Sequence, residues 1–551
     1  MSRTGPASFA HERLFFVDKL QPGHAGYVVA FALRLRGDLD AGRLRRALRD
    51  LVSRHDALRT TFEVRDGRLF QRIDPAAEPA IEVVSRPAED EEAGDAYLRG
   101  LVTRGAREAF PLDAGPLLRA TIVSWSPAEH ALVVLVHHIA CDGWSVGLLL
   151  ADLAALYNGV PVAAAPSYLD YSVAQREEWE TGDDSLAFWR GRLAGAPALA
   201  LPTDRPRPEV LGDRGAVLTR PLPAELLAGL TEWSRARHVT LFVTALAAYA
   251  GLLARDLVIG VPVANRLEEE QEALVGCLVN ILPVRLDASG GLPFTGLVQR
   301  VREATLSALA HQHVPFERIV AAVRGDSRAP LVQTSFGVQN FPFRLPEFAG
   351  LAVTEVEAEI DAAKFDLGVS VDLNADRPFV RAEYSTDLFG VGTVTALLDA
   401  YVATLSAVAQ APPGAEPDLH RIRWAPAPAP AGPAAVTPGA TVPDADREVR
   451  ERIRLIWAEV LRRPDVAAGD NFFDLGGTSL GMIALQQAMS RAGFDMAMVD
   501  LFRCGSVEAC ARHLTAAPAP AALDGDRTAR RDAAVRGLAE RRRALAGGGR
   551  G

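Results

Sequence analysis

The stretch that most constrains the fold runs from Val133 to Ser145 and reads VVLVHHIACDGWS. Its unbroken apolar run predicts a buried strand, and Asp142-Gly143 predicts a turn that reverses the chain into a new element. Because side chains alternate along a strand, His137 and His138 are expected to point to opposite sides. Chemistry at this strand end is therefore expected to use one histidine, and the other is expected to be structural.

Helix and strand signals alternate on both sides of this stretch. Asp38 or Asp40 can cap a helix, Asp66-Gly67 predicts a hairpin turn, and residues 257–263 read as a strand. Apolar residues recur at helical spacing in the capped segment and directly after the turn. These positions are Leu44, Leu48, Leu51, Val52, Val146, Leu149, Leu150, Leu153 and Leu156.

Composition excludes several classes of protein. A chain of 551 residues predicts two or three domains, and 49% hydrophobic content is typical of a globular protein. A net charge of −10 argues against a nucleic-acid partner. The four cysteines are scattered, so neither a metal site nor a disulfide framework is expected, and a reducing cytoplasm is favoured. We find no signal peptide and no apolar stretch long enough to span a bilayer, so no membrane partner is expected.

The C-terminal part differs in composition. Ala and Pro dominate from residue 411 to 443, which predicts a semi-stiff linker, and an apolar stripe over 446–463 predicts a helix after it. Next comes DNFFDLGGTSL, in which the glycine pair frees the backbone, so Ser479 is expected at a helix start with its hydroxyl exposed. Residues 477–481 also fit the G-x-S-x-G elbow of hydrolases, but no strand precedes them and only His513 follows.

Several motifs now indicate a family. The pattern from His137 to Gly143, HHxxxDG, resembles the signature of condensation domains in nonribosomal peptide synthetases, which belong to the CoA- and carrier-dependent acyltransferases. The segment around Ser479 is similar to the attachment site of a peptidyl carrier protein. Other stretches resemble further condensation-domain motifs in the expected order: residues 7–20, where His11 replaces the usual glutamine, then 54–62, 168–174, 275–285, 311–317, 327–331 and 364–367.

The resemblance implies an α/β fold class. We expect two chloramphenicol-acetyltransferase-like lobes that form a V-shaped condensation domain with a tunnel between them, followed by a small all-α carrier domain of four helices. The expected segments are an N-terminal lobe (1–180), a C-terminal lobe (181–420), an Ala/Pro-rich linker (421–445), a carrier domain (446–517) and a basic, disordered tail (518–551). A short basic helix that docks a partner is the alternative for the tail.

The same resemblance implies the site residues. His138 is expected to be catalytic, either by accepting a proton from the attacking amine or by orienting that amine, and His137 and Gly143 belong to the same motif. Gly143 either permits the turn or allows close approach of the cofactor arm. Asp142 is expected to form a structural ion pair with Arg285, because a lone carboxylate in an apolar environment needs a cation.

Cofactor and partners follow from the carrier resemblance. Ser479 is expected to carry covalent 4'-phosphopantetheine, attached by a phosphopantetheinyl transferase. No stretch resembles an adenylation domain or a thioesterase. A separate adenylation enzyme is therefore expected to load Ser479, an upstream carrier protein to deliver the donor, and a downstream synthetase or release enzyme to take the product.

The expected reaction is amide bond formation between an upstream carrier-bound acyl or peptidyl thioester and the aminoacyl thioester on this chain's own carrier. One alternative is an ester- or amide-forming release of the carrier-bound acyl group onto a free small-molecule nucleophile. Another is a catalytically silent platform that recruits tailoring enzymes. Whether the product stays on the carrier separates the first two reactions.

Overall fold

A computed structural model describes residues 2–86, 90–180, 185–197, 199, 201–208, 211–323, 330–339, 345–373, 377–412, 414–420, 422, 424, 445–472, 475 and 479–515. The chain forms two compact units, an α/β unit and a small all-α unit. Most of the predicted linker and the whole of the predicted tail lie outside the described residues.

Fourteen strands are described, and all of them belong to the α/β unit. They are β1 (Arg3–Pro6), β2 (Val28–Gly37), β3 (Thr60–Arg65), β4 (Arg68–Ile73), β5 (Ala80–Ser85), β6 (Leu118–Ser126), β7 (Glu129–His137), β8 (Gly215–Pro221), β9 (Asp256–Val263), β10 (Asn280–Asp287), β11 (Thr334–Gln339), β12 (Leu351–Val356), β13 (Leu367–Asp372) and β14 (Phe379–Ser385).

Helices in the described residues cover the sheets and build the second unit. Those of the α/β unit are α1 (Phe9–Leu20), α2 (Ala41–Arg54), α3 (Glu91–Arg107), α4 (Gly143–Asn158), α5 (Tyr168–Glu180), α6 (Ser185–Leu193), α7 (Ala224–Ala236), α8 (Leu241–Leu253), α9 (Glu269–Glu272), α10 (Phe294–Leu309), α11 (Phe316–Val323) and α12 (Val391–Ala409). The remaining helices are α13 (Ala445–Leu461), α14 (Ser479–Arg491), α15 (Met498–Cys504) and α16 (Val507–Thr515), and of α14 the all-α unit contains the part from Leu485 onward.

The predicted apolar strand is β7, the central strand of a five-stranded sheet with order β12-β2-β7-β6-β5. Its neighbours β2 and β6 both run antiparallel to it, and His137 at its end is in register with Val28 of β2. Residues 130–137 are buried throughout, as the unbroken apolar run predicted. The chain then enters α4, which Asp142 caps by accepting a hydrogen bond from the backbone N–H of Ser145.

Local predictions in the first half are confirmed. Asp40 is the residue that caps α2, and the four apolar positions predicted for this helix are buried. The predicted hairpin turn at Asp66-Gly67 joins β3 to β4, which pair antiparallel. This hairpin and β1 form a separate three-stranded sheet with order β1-β4-β3.

One strand of the second half completes the first sheet. β12 pairs antiparallel with β2, from Leu351 opposite Gly37 to Val356 opposite Ala32. The backbone groups on the outer edge of β2 therefore find partners within the protein instead of lying open to other chains. This crossover was not expected from a simple division of the chain near residue 180, because strand pairing between distant segments leaves no local sequence pattern.

The second large sheet has six strands in the order β10-β9-β11-β13-β14-β8. Its core includes Tyr249, Phe336 and Tyr401, which are fully buried and pack with ring centroids 5.6 to 6.3 Å apart. In the part of the chain that the structure describes, α12 alone is long and apolar enough to cross a membrane, and α7 with α8 pass that test only as a pair bent by 101°. Our expectation of no such stretch is wrong for α12, whose buried residues pack in this core.

The all-α unit contains the four predicted helices. Trp457 of α13 is fully buried and meets the ring of Phe472 edge-on, with centroids 5.1 Å apart. Met482, Leu485 and Met489 of α14 are also buried. Helix α14 begins at Ser479, as the glycine pair before it predicted, although the side chain of Ser479 and residues 476–478 lie outside the described part.

Candidate active site

The end of β7 places the two histidines in different environments. A short 3-10 turn, His138–Ala140, follows the strand, and Nδ1 of His137 accepts a hydrogen bond of 3.1 Å from the backbone N–H of Ile139. The ring of His137 is 3% exposed, packs edge-on against Phe110, and has Nε2 4.0 Å from a carboxylate oxygen of Asp18. Burial lowers the pKa of His137 to about 3. His137 is therefore a neutral group that fixes the turn.

His138 is only half-buried, and its surroundings differ. Its Nδ1 lies 3.8 Å from Sγ of Cys277, a residue of the loop before β10. Burial, followed by the positive charge of Lys364, lowers the pKa of His138 to about 3. The imidazole is thus neutral at neutral pH and can accept a hydrogen bond or a proton. His137 therefore serves the fold, and the catalytic role of His138 stays a prediction.

His11 supports the same turn. Its ring hydrogen-bonds to the backbone of Ile139 and lies between Phe62 and Tyr168, with ring centroids 4.8 and 4.6 Å away. Burial lowers the pKa of His11 to about 3, so this side chain is also neutral. The departure from the usual glutamine therefore keeps a hydrogen-bonding group at Ile139, the residue after His138.

Asp142 anchors a buried network of hydrogen bonds. Both of its oxygens accept hydrogen bonds of 3.0 Å from the guanidinium of Arg266, and the side chains of this pair are 3% and 2% exposed. Asp142 also accepts hydrogen bonds from the backbone and hydroxyl of Ser145 and from the backbone N–H of Leu278. The hydroxyl oxygen of Ser145 in turn accepts a hydrogen bond of 3.1 Å from the backbone N–H of Gly276. The carboxylate thus ties α4 to the loop that carries Cys277.

Two neighbouring motif residues can be assigned from their surroundings. Gly143 is exposed, has no positive φ, and a Cβ placed on it would meet nothing within 4 Å. The backbone conformation of the turn therefore does not require glycine at this position. Its distinguishing feature is the open space around the residue. Cys141 is buried, and burial together with the charge of Asp142 raises the pKa of its thiol. A thiol held neutral in this way is a poor nucleophile.

Comparison with known proteins decides the family. The condensation domain model matches residues 1–421, most of the chain. The chain belongs to the condensation domain family. C-terminal to this condensation domain in the sequence, the phosphopantetheine attachment site model matches residues 451–514. The all-α unit is therefore a carrier domain for covalent 4'-phosphopantetheine. The condensation domains of nonribosomal peptide synthetases are acyl-transferring enzymes that form peptide bonds.

Similar proteins agree with this assignment. A linear gramicidin synthase protein of Brevibacillus parabrevis is 39% identical over 430 residues, which cover 74% of this chain and 6% of that protein. This chain therefore spans only a small part of the length of that relative. The crystal structure of the X-domain from teicoplanin biosynthesis is 29% identical, with a TM-score of 0.67 over 75% of this chain and 96% of that one. Holo-AB3403, a four-domain nonribosomal peptide synthetase, shares the fold at 20% identity, with a TM-score of 0.68 over 89% of this chain and 39% of that one.

The predicted ion pair between Asp142 and Arg285 is wrong. In the condensation domain Arg285 pairs with Asp256, with Nη2 2.7 Å from Oδ2, and donates to the carbonyl of Ala194. Leu278, which contacts Asp142, precedes β10, whereas Arg285 lies near the other end of that strand. Seven residues of extended chain span about 23 Å, which is too far for a contact.

The sequence did not predict Arg266 as the partner of Asp142, because Arg266 belongs to the loop after a different strand. It follows β9, which runs antiparallel to β10 and places Val263 opposite Asn280. The C-terminal end of β9 and the N-terminal end of β10 therefore lie together, at the end of the sheet that is close to Asp142. An arginine directly after an apolar strand was the available signal. Among the described residues of the condensation and carrier domains, no cluster of three or more His, Cys, Asp or Glu could hold a metal ion.

Lys364 offers a test of the electrostatics around His138. Lys364 lies near the start of β2: a Cβ placed on Gly26 would be 3.5 Å from Cγ of Lys364. Gly26 is two residues before Val28, which is paired with His137. The change Lys364→Met removes the positive charge that helps to lower the pKa of His138. We expect that pKa to rise toward its ordinary value of 6.5, as measured by titration of the imidazole in NMR spectra.

The chain provides a matched control for this titration. Lys19→Met removes the other of the two lysines, whose ammonium lies over the ring of Phe15 and is not among the charges that act on His138. We expect this variant to titrate like the wild type. Identical midpoints for Lys364→Met and the wild type would contradict the electrostatic effect of Lys364.

Proposed function

We propose that this chain forms an amide bond between an acyl or peptidyl thioester on an upstream carrier protein and an aminoacyl thioester on its own carrier domain. The observation that carries the proposal is the neutral, half-buried imidazole of His138, five residues before the exposed Gly143 at the start of α4. The empty space around Gly143 fits the passage of a thin cofactor arm past the turn. When bound, the arm supplies the thioesters whose acyl carbons are open to attack.

In the proposed reaction the acceptor amine is the nucleophile. An α-amino group has a pKa of about 7.7 to 8.0, so a substantial fraction of it is already neutral at cellular pH. His138 accepts the proton that leaves the nitrogen as the C–N bond forms, or holds the amine in line for attack. The C–S bond of the donor thioester breaks, and the sulfur of the donor leaves as a thiol with that proton. Binding both thioesters in one site makes the reaction effectively intramolecular, which supplies a large part of the rate.

The carrier domain and its partners complete the proposal. Ser479, the first residue of α14, receives 4'-phosphopantetheine from a phosphopantetheinyl transferase in the cytoplasm. A separate adenylation enzyme loads the amino acid there, and a downstream synthetase or release enzyme takes the product. The likeness to the multi-enzyme synthetases supports an assembly line of this kind.

A substitution at the attachment site tests the carrier assignment. The wild-type chain, treated with a phosphopantetheinyl transferase and coenzyme A, is expected to gain the mass of one phosphopantetheine group. Ser479→Ala removes the hydroxyl that accepts this group and is expected to gain no mass and form no carrier-bound product, measured by intact-protein mass spectrometry. Ser490→Ala, on the same helix, is the control and is expected to be modified like the wild type.

The same spectra separate the proposed reaction from release. A product that remains attached to Ser479 supports amide formation on the carrier. A product found only as a free small molecule, with the holo-carrier regenerated, indicates transfer onto a soluble nucleophile instead. If Ser479→Ala gained the same mass as the wild type, the carrier assignment of this serine would be wrong.

A second candidate function is recruitment of a tailoring enzyme. The X-domain from teicoplanin biosynthesis, 28% identical over 76% of this chain in a second structure, is seen there in a complex with OxyB. A chain that binds a partner in this way but leaves both loaded thioesters unchanged would be a platform. Amide formation by the wild type would exclude a purely recruiting role.

A further inference from the structure

Backbone hydrogen bonds fix the loop that carries Cys277. The N–H of Gly276 donates to the hydroxyl oxygen of Ser145 at 3.1 Å, and the N–H of Leu278 donates to Asp142 at 3.0 Å. These two residues flank Cys277 in the sequence. Because the hydroxyl of Ser145 also donates to Asp142 at 2.8 Å, the start of α4 binds the loop at two neighbouring points. The position of Cys277 is therefore set by backbone contacts that do not involve its side chain.

Tyr168 binds the same loop from a second helix, α5. Its hydroxyl donates to the carbonyl of Cys277 at 2.6 Å, and the tyrosine side chain is buried. A Cβ placed on Gly276 would lie 1.9 Å from the ring of Tyr168, so glycine is what allows this close approach. The loop is thus bound to α5 as well as to α4.

The sulfur of Cys277 contacts the imidazole of His138, with Sγ 3.8 Å from Nδ1. Burial, followed by the charge of Asp142, raises the pKa of the thiol to about 12, so the group is a neutral thiol and a poor nucleophile. A ring N–H of His138 also donates to the residue's own backbone carbonyl, and Nδ1 is the ring nitrogen nearer the backbone. Because a neutral sulfur can accept a weak hydrogen bond, a proton on Nδ1 satisfies both contacts and leaves a lone pair on Nε2.

We propose that Cys277 is a positioning residue for His138: its sulfur holds Nδ1 of the imidazole and thereby leaves Nε2 to take the proton of the attacking amine. This rests on the proposed function. The proposal gives Asp142 a role besides its buried pair with Arg266, because the bond to the backbone of Leu278 sets where the sulfur lies relative to the imidazole. Cys277 acts through His138 and not on the substrate.

Removal of the sulfur tests this role in the reaction. Cys277→Ala leaves the backbone bonds of the loop in place. In single-turnover transfer from a loaded donor carrier, followed by intact-protein mass spectrometry, we expect the maximal rate to fall about tenfold, because the imidazole is no longer held in line for the reaction. The donor-carrier concentration that gives the half-maximal rate is expected to stay unchanged, since Cys277 is fully buried.

The chain offers a matched control in Cys141→Ala. Cys141 is also fully buried, but its sulfur contacts the backbone carbonyl of Asp142, 3.4 Å away. Both changes remove one buried thiol, so we expect similar losses of stability in urea and a wild-type maximal rate for Cys141→Ala alone. Cys277→Ser keeps a hydrogen-bonding group on a shorter bond, and we expect a rate between those of the wild type and Cys277→Ala. Equal rates for Cys277→Ala and Cys141→Ala would overturn the proposal.

The ring nitrogens of His138 test the contact without catalysis. In NMR spectra of the full chain with isotopically labelled histidine, the signals of His138 are identified by their loss in His138→Gln. We expect the wild type to carry the proton on Nδ1 at neutral pH, and Cys277→Ala to show a mixture of the two tautomers. An unchanged tautomer in Cys277→Ala would overturn the positioning role. A change of tautomer, with no amide formed by the wild type, would confirm the contact and refute the proposed function.

Discussion

His138→Ala is expected to lower the rate of amide bond formation about 10²- to 10⁴-fold, the usual contribution of a positioned proton acceptor. The change removes the imidazole that lies 3.8 Å from Cys277 and leaves the neighbouring His137 in place to fix the turn. Single-turnover transfer between two loaded carriers, followed by intact-protein mass spectrometry, measures the effect. Loading of Ser479 is expected to remain normal because the carrier domain is untouched.

Two companion variants define the role of this imidazole. His138→Gln keeps a hydrogen-bonding group but cannot take up a proton near neutral pH. Activity close to wild type in this variant would assign His138 to orienting the amine, and a loss as large as in His138→Ala would assign it to proton transfer. His420→Ala, an exposed histidine, is the control and should retain full activity. Unchanged transfer by His138→Ala would remove His138 from the mechanism.

Arg266→Met is expected to destabilise the condensation domain by about 3 to 5 kcal/mol, because it leaves the carboxylate of Asp142 buried without its cation. Both side chains are at most 3% exposed, so water cannot replace the lost hydrogen bonds. The free energy of unfolding of the chain, measured by denaturation in urea, would show the effect. We expect amide formation to fall as well, since Asp142 positions the loop that carries Cys277.

Arg285→Met is the matched control for this experiment. It also breaks an Arg–Asp pair, but the side chains of Arg285 and Asp256 are 25% and 30% exposed. An ion pair this open to solvent is worth about 1 kcal/mol or less. The double variant Asp142→Asn with Arg266→Met should lose less stability than the two single changes added together. Equal losses in Arg266→Met and Arg285→Met would contradict the buried pair.

The sequence predicted most local structure because the signals were themselves local. The apolar run before His137 predicted β7, the aspartates at 38 and 40 predicted the start of α2, and the glycine pair before Ser479 predicted the start of α14. Each of these features depends on periodicity, capping or backbone freedom within a few residues. The motif order likewise identified the family that the comparison later established.

The failures concern contacts between distant segments. The partner of Asp142 depends on the antiparallel register of β9 and β10, which decides whether Arg266 or Arg285 reaches the site. The position of Lys364 near His138 and the pairing of β12 with β2 are of the same kind. No periodicity or spacing within one segment encodes such register, so a single sequence cannot resolve it.

The pairing of β12 with β2 limits how this chain can be recombined with its relatives. A chimera that exchanges only residues 1–180 would combine β2 of one parent with β12 of another and would mismatch the cross-strand pairs between Leu351 and Val356. A fragment ending at residue 180 would expose the edge of β2 and invite aggregation. A chimera that exchanges residues 351–356 together with residues 1–180 keeps β2 and β12 from the same parent.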